Sequence, residues 1–330
     1  MNVPKFSKML VALENTALGQ QVARAALEFA ARLKVQVLFV HVLSSSLNPD
    51  LERITVLDRE MSSGLGYSFT TRIEVLDTLK PLLSIAPFDL RVLLGEPASS
   101  LLECAEQENC DLLVLGTHAR EGVSRLLLGS VAEHVMRHSA LPILLLRASS
   151  APRLNPTNAA FSVAVAVDGS PRCEWTAEVA AELALQLHSP LWVLHVLDDA
   201  RAETSQHLHA AQGNGEIADV LRQRGEYALA LARTRALQVS AQQASTRLEL
   251  HSQLLAPHPD GVASSLMLHA AEKKLSLLVM GMRDRTNLFR WLEGSNAESV
   301  VRHSPCPVLV IPHKVPTHAT HEENTVSQTV

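Results

Sequence analysis

Short apolar runs separated by longer amphipathic stretches follow one another along the chain. Two early runs, MLVAL from Met9 and VQVLFVHVL from Val35, have the continuous apolar character of strands buried on both faces. The stretch between them places Val22, Ala26 and Phe29 near helical spacing. Strands that alternate with helices predict a parallel sheet with helices on both faces.

The same alternation continues through the first half of the chain. The apolar runs LRVLLG, LLVLG and PILLL, which begin at Leu90, Leu112 and Pro142, are predicted strands. SLLECAEQ and SVAEHVMRH, which begin at Ser100 and Ser130, are predicted helices that lie between them. Together these elements complete one small α/β unit.

This order of elements occurs twice. The run LFVHVL from Leu38 returns as WVLHVL from Trp192, at an offset of 154 residues. The run VMRHSALPILLL from Val135 returns as VVRHSPCPVLVI from Val300, at an offset of 165. The second copy therefore carries 11 extra residues between its second and fourth strands. Such a duplication predicts two domains of one type.

The duplication also sets the expected domain boundaries. We expect domain 1 over residues 1–150 and domain 2 over residues 151–315. The segment ASSAPRLNPTNAA from Ala148 is small, polar and contains proline, as linkers do. Residues 316–330 have no apolar periodicity and are predicted to be disordered.

Composition limits the classes of function. Hydrophobic residues make up 47% of the chain and charged residues 19%, which is typical of a globular protein. The formal net charge of -5 gives no reason to expect a nucleic-acid partner. No apolar run reaches the roughly 18 residues of a membrane span, and the N-terminus lacks a signal-peptide pattern. The four cysteines form no CxxC pair, so we expect a reduced, cytoplasmic setting.

The loops that follow the two fourth strands carry the strongest functional signal. The key positions are Gly116, Ala119, Gly129 and Ser130 in the first copy, and Gly281, Asp284, Gly294 and Ser295 in the second. Glycine lets the backbone approach an anion closely and adopt positive φ. The glycine-serine pair then opens a helix, whose free N–H groups and positive dipole end attract phosphate. A tight strand-to-helix turn with a capping serine is the structural alternative.

These loops, the HS-x-x-P strand ending and the duplicated order of elements resemble the universal stress protein family, whose loop follows the pattern Gly-x2-Gly-x9-Gly-Ser/Thr. The resemblance covers residues 5–147 and 160–312. It implies two tandem doubly wound parallel-sheet domains, five-stranded each, with the Rossmann-like, adenine nucleotide alpha hydrolase-like fold. It further implies binding of ATP, with Mg²⁺ as an optional companion, and a role in the general stress response with little or no turnover.

Two other functions stay open at this point. The first is a nucleotide-free dimerising scaffold that binds protein or lipid partners, because both copies lack the middle glycine of the loop. The second is a slow ATPase, which is the least favoured because no general base is evident in the sequence. The absence of a G-x-S-x-G elbow and of a Walker motif removes hydrolase and P-loop alternatives.

The resemblance assigns one nucleotide site to each copy. ATP-binding members carry an aspartate after the first strand, which Asp168 matches in the sequence DGSP and Glu14 replaces in the first copy. Arg120 is able to pair with phosphate, whereas Asp284 would put a negative charge beside it. Nucleotide is therefore expected to favour the first copy. The predicted binding residues are Ala12, Glu14, Val42, Leu115, Gly116, Ala119, Arg120, Gly129 and Ser130 in the first copy, and Ala166, Asp168, Val196, Met280, Gly281, Gly294 and Ser295 in the second.

Other conspicuous residues are interpreted structurally. For Val42, Leu115, Val196 and Met280, the alternative to a binding role is packing in the core. The fifteen histidines show no HExxH spacing and no cysteine partners, so no metal site is predicted. His41 and His195 occupy the same place in the two copies, and we expect each to satisfy a backbone group.

The last strand of each copy, Ile143 to Leu146 and Val308 to Ile311, should lie at an edge of its own sheet. An exposed apolar edge favours pairing with another strand. We therefore expect the two copies to pair there as an intramolecular pseudo-dimer. Two independent domains on a flexible linker are the alternative, and a homodimer stays open.

Overall fold

The computed structural model describes residues 5–14, 16–43, 79–117, 129–147, 149–154, 160–197, 214–243, 247–282 and 296–312. Four predicted binding residues, Ala119, Arg120, Gly294 and Ser295, lie outside the described residues. The loop position Asp284 and the predicted tail lie outside them as well. We call residues 5–147 half one and residues 160–312 half two.

Half one alternates strands and helices in the predicted order. Its described strands are β1 (Lys8–Ala12), β2 (Gln36–Leu43), β3 (Asp89–Leu94), β4 (Leu112–Gly116) and β5 (Ile143–Leu146). Its described helices are α1 (Ala17–Leu33), α2 (Pro97–Gln107) and α3 (Ser130–His138), with a 3-10 turn at Lys80–Ser84. The helix ends follow local chemistry, because Thr16 caps α1 and Pro97 is the first residue of α2.

Half two repeats this order. Its described strands are β6 (Val163–Ala166), β7 (Leu191–Val196), β8 (Leu250–Leu255), β9 (Leu277–Gly281) and β10 (Val308–Ile311). Its described helices are α4 (Arg172–Gln186), α5 (Asn214–Gln242), α6 (Val262–Glu272) and α7 (Asn296–His303).

The ten described strands form one sheet in the order β3-β2-β1-β4-β5-β10-β9-β6-β7-β8. Within each half the neighbouring strands are parallel. One apolar core contains α1, α4 and α5, and a second core contains α2, α3, α6 and α7. Helices therefore cover both faces, and the predicted doubly wound five-stranded units are confirmed.

The two halves join through β5 and β10, which pair antiparallel. In this ladder Val308 lies opposite Leu145, and Val310 lies opposite Ile143. The start of the linker is more ordered than its composition suggested, because a 3-10 turn at Ala151–Leu154 buries Leu154. Each unit thus places its edge strand in the middle of a continuous sheet.

The strand register locates the extra residues of the second copy. Asp89 lies opposite Leu38 in half one, and His251 lies opposite Trp192 in half two. The offset at the third strand is therefore 162, since it is the separation of Asp89 from His251. Eight of the 11 extra residues lie between β7 and β8, around the 29-residue helix α5, and three follow β8.

Candidate functional site

The strand order reverses between β1 and β4 in half one and between β6 and β9 in half two. Ligands of open α/β sheets bind at such a switch point, beyond the carboxyl ends of the strands. In half two, Ala166 lies directly opposite Met280 at these strand ends. In half one, the last paired residues are Val11 and Val114, and Ala12 and Leu115 follow them. The fold therefore brings together the predicted residues of the first and fourth strands.

A histidine fixes the loop after the first strand in each half. Nδ1 of His41 lies 2.8 Å from the carbonyl oxygen of Leu13, and Nδ1 of His195 lies 2.8 Å from that of Val167. Nδ1–H is the donor in both contacts, because a carbonyl oxygen only accepts. The prediction that these histidines satisfy backbone groups is confirmed. The loop that carries the acidic residue is thus tied to the second strand.

Both acidic residues of the predicted sites, Glu14 and Asp168, are exposed beyond the strand ends. Oδ1 of Asp168 accepts a hydrogen bond from the backbone N–H of Ser170 at 3.0 Å. Asp168 thus provides a side-chain acceptor in the loop before α4. In half one, Thr16 caps α1 itself, since its Oγ1 accepts from the N–H of Gly19 at 3.0 Å.

The thiol beside the acidic loop of half two is not suited to nucleophilic chemistry. Burial, followed by the negative charge of Asp168, raises the pKa of Cys173 to about 11. Only the thiolate is a strong nucleophile, so a thiol with this pKa is unreactive near neutral pH. Cys173 therefore provides no thiolate nucleophile beside this loop near neutral pH.

The first glycine of each predicted phosphate loop has a packing role. A Cβ atom on Gly116 would lie 3.2 Å from Val22 of α1, and one on Gly281 would lie 2.8 Å from Oγ1 of Thr176 on α4. These glycines therefore let the first helix of each half lie close to the fourth strand. We expected this glycine to face an anion, and its observed surroundings give a sufficient structural reason for it.

Gly129 is different, because its backbone favours glycine and no described atom contacts the position of its Cβ. Its φ of +87° lies in the left-handed region, and no described atom lies within 4 Å of the place where a Cβ would be. Ser130 follows as the first residue of α3, and no described side chain caps this helix. Gly129 and Ser130 are both exposed. Within the described part of the chain, no side chain therefore occupies the first N–H groups of α3, as an anion site requires.

The apolar residues of the predicted sites belong mainly to the core. Leu115 is 2% exposed, Val196 5% and Met280 6%, and all three lie in the core that contains α2, α3, α6 and α7. Val42 is partly buried and packs against the same core. The described structure thus favours core packing for Leu115, Val196 and Met280, while Val42 retains surface that a ligand could touch.

Helix α5 approaches the site of half two more closely than the sequence suggested. A Cβ on Gly225 would lie 2.9 Å from His195 and 2.6 Å from Leu254, and a Cβ on Gly169 would lie 3.2 Å from that of Ala228. The sequence signal was Gly225 itself, since an isolated glycine inside a helical pattern often marks close packing. Half two therefore has a helix directly against the loop that carries its aspartate.

The described part of the chain contains neither a metal-binding cluster nor a membrane-spanning helix. No described group of three or more His, Cys, Asp or Glu side chains could hold a metal ion. None of the described helices is long and apolar enough to cross a membrane.

Comparison with known proteins decides the family. The model of the universal stress protein family matches residues 5–147 and again residues 161–312. The chain belongs to the universal stress protein family. Its two matches coincide with the two halves of the sheet, so the chain is a tandem member and the resemblance noted in the sequence is confirmed.

Similar proteins include single-domain and full-length matches. A universal stress protein of Methanocaldococcus jannaschii is 27% identical over 147 residues, which is 43% of this chain and 82% of that protein. The crystal structure of a universal stress protein from Archaeoglobus fulgidus shares the fold, with a TM-score of 0.60 and 19% identity over 92% of this chain and 98% of that chain. A universal stress protein solved in complex with cAMP aligns with 47% of this chain and 98% of its own, at 20% identity and a TM-score of 0.33.

Proposed function

We propose that this tandem universal stress protein binds an adenine nucleotide, ATP in the first instance, at the switch point of half one, with little or no turnover. The observation that carries the proposal is the open N-terminus of α3. Gly129 has positive φ, no described atom lies within 4 Å of the position that its Cβ would take, and Ser130 begins the helix. Phosphate oxygens are suitable acceptors for the free N–H groups at such a helix start.

The base and ribose of the nucleotide would lie toward the loop after β1. That loop is held by His41, which leaves the exposed Glu14 beyond the strand end. A carboxylate accepts hydrogen bonds from ribose hydroxyls or from an exocyclic amino group. Val42, which is only partly buried, offers an apolar contact for the base.

Half two is proposed to be the weaker site. The carboxylate of Asp168 already accepts a hydrogen bond from its own loop. A ligand would have to compete with that bond. Ala228 of α5 packs against Gly169 on the same loop. Asp284 replaces the middle glycine of the family pattern, and a carboxylate near phosphates is repulsive unless a cation such as Mg²⁺ bridges them.

A second candidate function is a nucleotide-free scaffold. The packing of Ala228 against the loop of Gly169 favours this function for half two. The chain would then act through protein or lipid partners, or through a second copy of itself. We propose a cytoplasmic role in the general stress response under either function. The domain boundaries at residues 150 and 315 belong to the same proposal, with each unit contributing one site.

The identity of the ligand is tested most simply by mass. The full-length chain is purified without added nucleotide and denatured, and the small molecules released are identified by mass spectrometry. Release of ATP, ADP or AMP in a ratio approaching one per chain supports the proposal. If no nucleotide is released, and Mg-ATP added to the native chain gives no calorimetric binding signal, the scaffold function replaces nucleotide binding.

A further inference from the structure

Four side chains near one end of the sheet form a compact group in half two, which we call the Trp192 cluster: Trp192 of β7, His251 of β8, and His269 and Lys273 of α6 and its C-terminal end. The indole of Trp192 stacks on the imidazole of His251, with ring centroids 4.5 Å apart. The ring of His269 meets Trp192 edge-on at 6.5 Å, and the ammonium group of Lys273 lies 5.9 Å from the centre of the indole. The cluster thereby connects two strands and one helix.

His269 is the unusual member of this group. His269 is only 5% exposed, and its buried Nε2 has no hydrogen-bond partner among the described residues. Burial, followed by the positive charge of Lys273, lowers the pKa of His269. Protonation would place a second positive charge beside Lys273, and no described residue accepts a hydrogen bond from Nε2.

The other charged groups near His269 do not reverse this effect. Glu272 acts in the opposite direction on His269 but is the weakest of the three influences on its pKa. The carboxylate of Glu249 lies 2.9 Å from Nε2 of His251, which engages it outside the buried part of the cluster. On α7, the helix packed beside α6, Glu298 and Arg302 form an ion pair with each other.

Half one has none of these residues at the corresponding positions. At the offset of 165, His269 corresponds to Cys104, and Lys273 corresponds to Glu108. At the offset of 154, Trp192 corresponds to Leu38. His251 occupies the strand position of Asp89. The same fold is therefore stable without the cluster, and half one provides an internal reference for what the cluster adds.

We propose that the Trp192 cluster is an acid-sensitive contact, which holds β7, β8 and α6 of half two together near neutral pH and weakens when His269 takes up a proton. The sign follows from linkage. The unfolded chain binds the proton at the ordinary histidine pKa of about 6.5, whereas the folded chain resists it. The stabilisation is therefore fully present above that pH, declines as the pH falls below it, and is lost once the pH has passed the lowered pKa of the folded state.

The first test compares the full-length chain with the His269→Cys variant, which carries the residue that half one has at this position. Thermal unfolding is measured at pH 7.5 and pH 5.5. The midpoint of the wild type should fall by about 2–4 °C more than that of the variant, which corresponds to roughly 1 kcal/mol for a domain of this size. Lys273→Gln should reduce the fall without removing it, because the like charge is gone while the burial remains.

Hydrogen exchange shows which elements lose stability at acidic pH. At pH 5.5, amides of β8 and α6 should lose protection relative to those of β3 and α2 in half one, after correction for the intrinsic pH dependence of exchange. An equal loss of protection in both halves would overturn the proposal, and so would an unchanged pH dependence of melting in His269→Cys. Should that variant fail to fold, the ring protons of His269 in the wild-type chain are titrated by NMR. A midpoint at or above about 6.5 then contradicts the proposal.

Discussion

The imidazole Nδ1 of His195 lies 2.8 Å from the carbonyl oxygen of Val167, and the sequence separation of 28 residues recurs between His41 and Leu13. This hydrogen bond connects the second strand of each half to the loop after the first strand. That loop carries the acidic residue of each candidate site. A histidine inside an apolar strand therefore contributes to the geometry of the site without having to touch a ligand.

Replacement of His195 by leucine should destabilise half two. The carbonyl of Val167 would lose the donor that satisfies it, which costs about 1–3 kcal/mol. Urea unfolding monitored by circular dichroism measures this change. His303→Leu is the matched control, because Nδ1 of His303 contacts the carbonyl of Ser299 on an exposed helix surface. Equal effects of the two substitutions would show that the partly buried hydrogen bond of His195 adds no more stability than the exposed one of His303.

Gly225→Ala should lower stability, although alanine is the better residue in most helices. A Cβ at this position would lie 2.6 Å from Leu254 and 2.9 Å from His195. We expect overpacking to cost about 1–3 kcal/mol, which exceeds the roughly 1 kcal/mol that alanine gains over glycine in helix propensity. Arg224→Ala, one residue away on an exposed part of the same helix, is the control and should change stability little. An increase in stability for Gly225→Ala would contradict the close contact between α5 and the strands.

Hydrogen exchange tests the junction of the two halves without a mutation. Amides of β5 and β10 should be protected like those of the central strands β1 and β6, because the two pair with each other. Amides of β3 and β8, which end the sheet, should exchange faster. If residues 143–146 and 308–311 exchange as fast as the two terminal strands, the halves do not share a sheet in solution.

The four cysteines should resist thiol reagents until the chain unfolds. All four are buried, and burial raises the pKa of Cys110 to about 12. At pH 8 the thiolate fraction of that group would be only on the order of one in ten thousand. Titration with a chromogenic disulfide should therefore give almost no reaction in the native chain and four thiols after denaturation. Rapid reaction of one thiol in the native chain would show that its part of the core opens readily.

The order of strands and helices could be predicted because the local patterns agree with the global fold. Buried strands such as β5 and β10 are continuous apolar runs. Because the pattern occurs in both copies, each copy supports the elements predicted in the other. The helix predicted around SVAEHVMRH is observed at Ser130–His138, where a positive-φ glycine precedes it and Ser139 is its C-cap.

The details of the site depended on contacts that are distant in sequence. Gly116 was expected to face an anion, but its small size serves the packing of Val22, which precedes it by 94 residues. The approach of Ala228 to Gly169 could not be foreseen either, since helix α5 lies within the region of the inserted residues. Local patterns specify elements well, whereas the distance of closest approach between elements is set by tertiary packing.

The central claim is that nucleotide phosphates bind at the start of α3, and thermal stabilisation by Mg-ATP tests it most directly. The measurement compares the wild-type chain with Gly129→Glu and with the control Gly261→Glu. Gly261 also has positive φ (+94°), has open space around it and precedes a helix, but that helix is α6 in half two. Both substitutions therefore introduce similar backbone strain and the same charge at a helix start.

We predict that Mg-ATP raises the melting temperature of the wild type and of Gly261→Glu, and that it has no effect on Gly129→Glu. Circular dichroism must show that both variants retain the fold. Equal stabilisation of all three proteins would contradict a phosphate site at Gly129 and Ser130, and the glycine would then serve only the turn before α3.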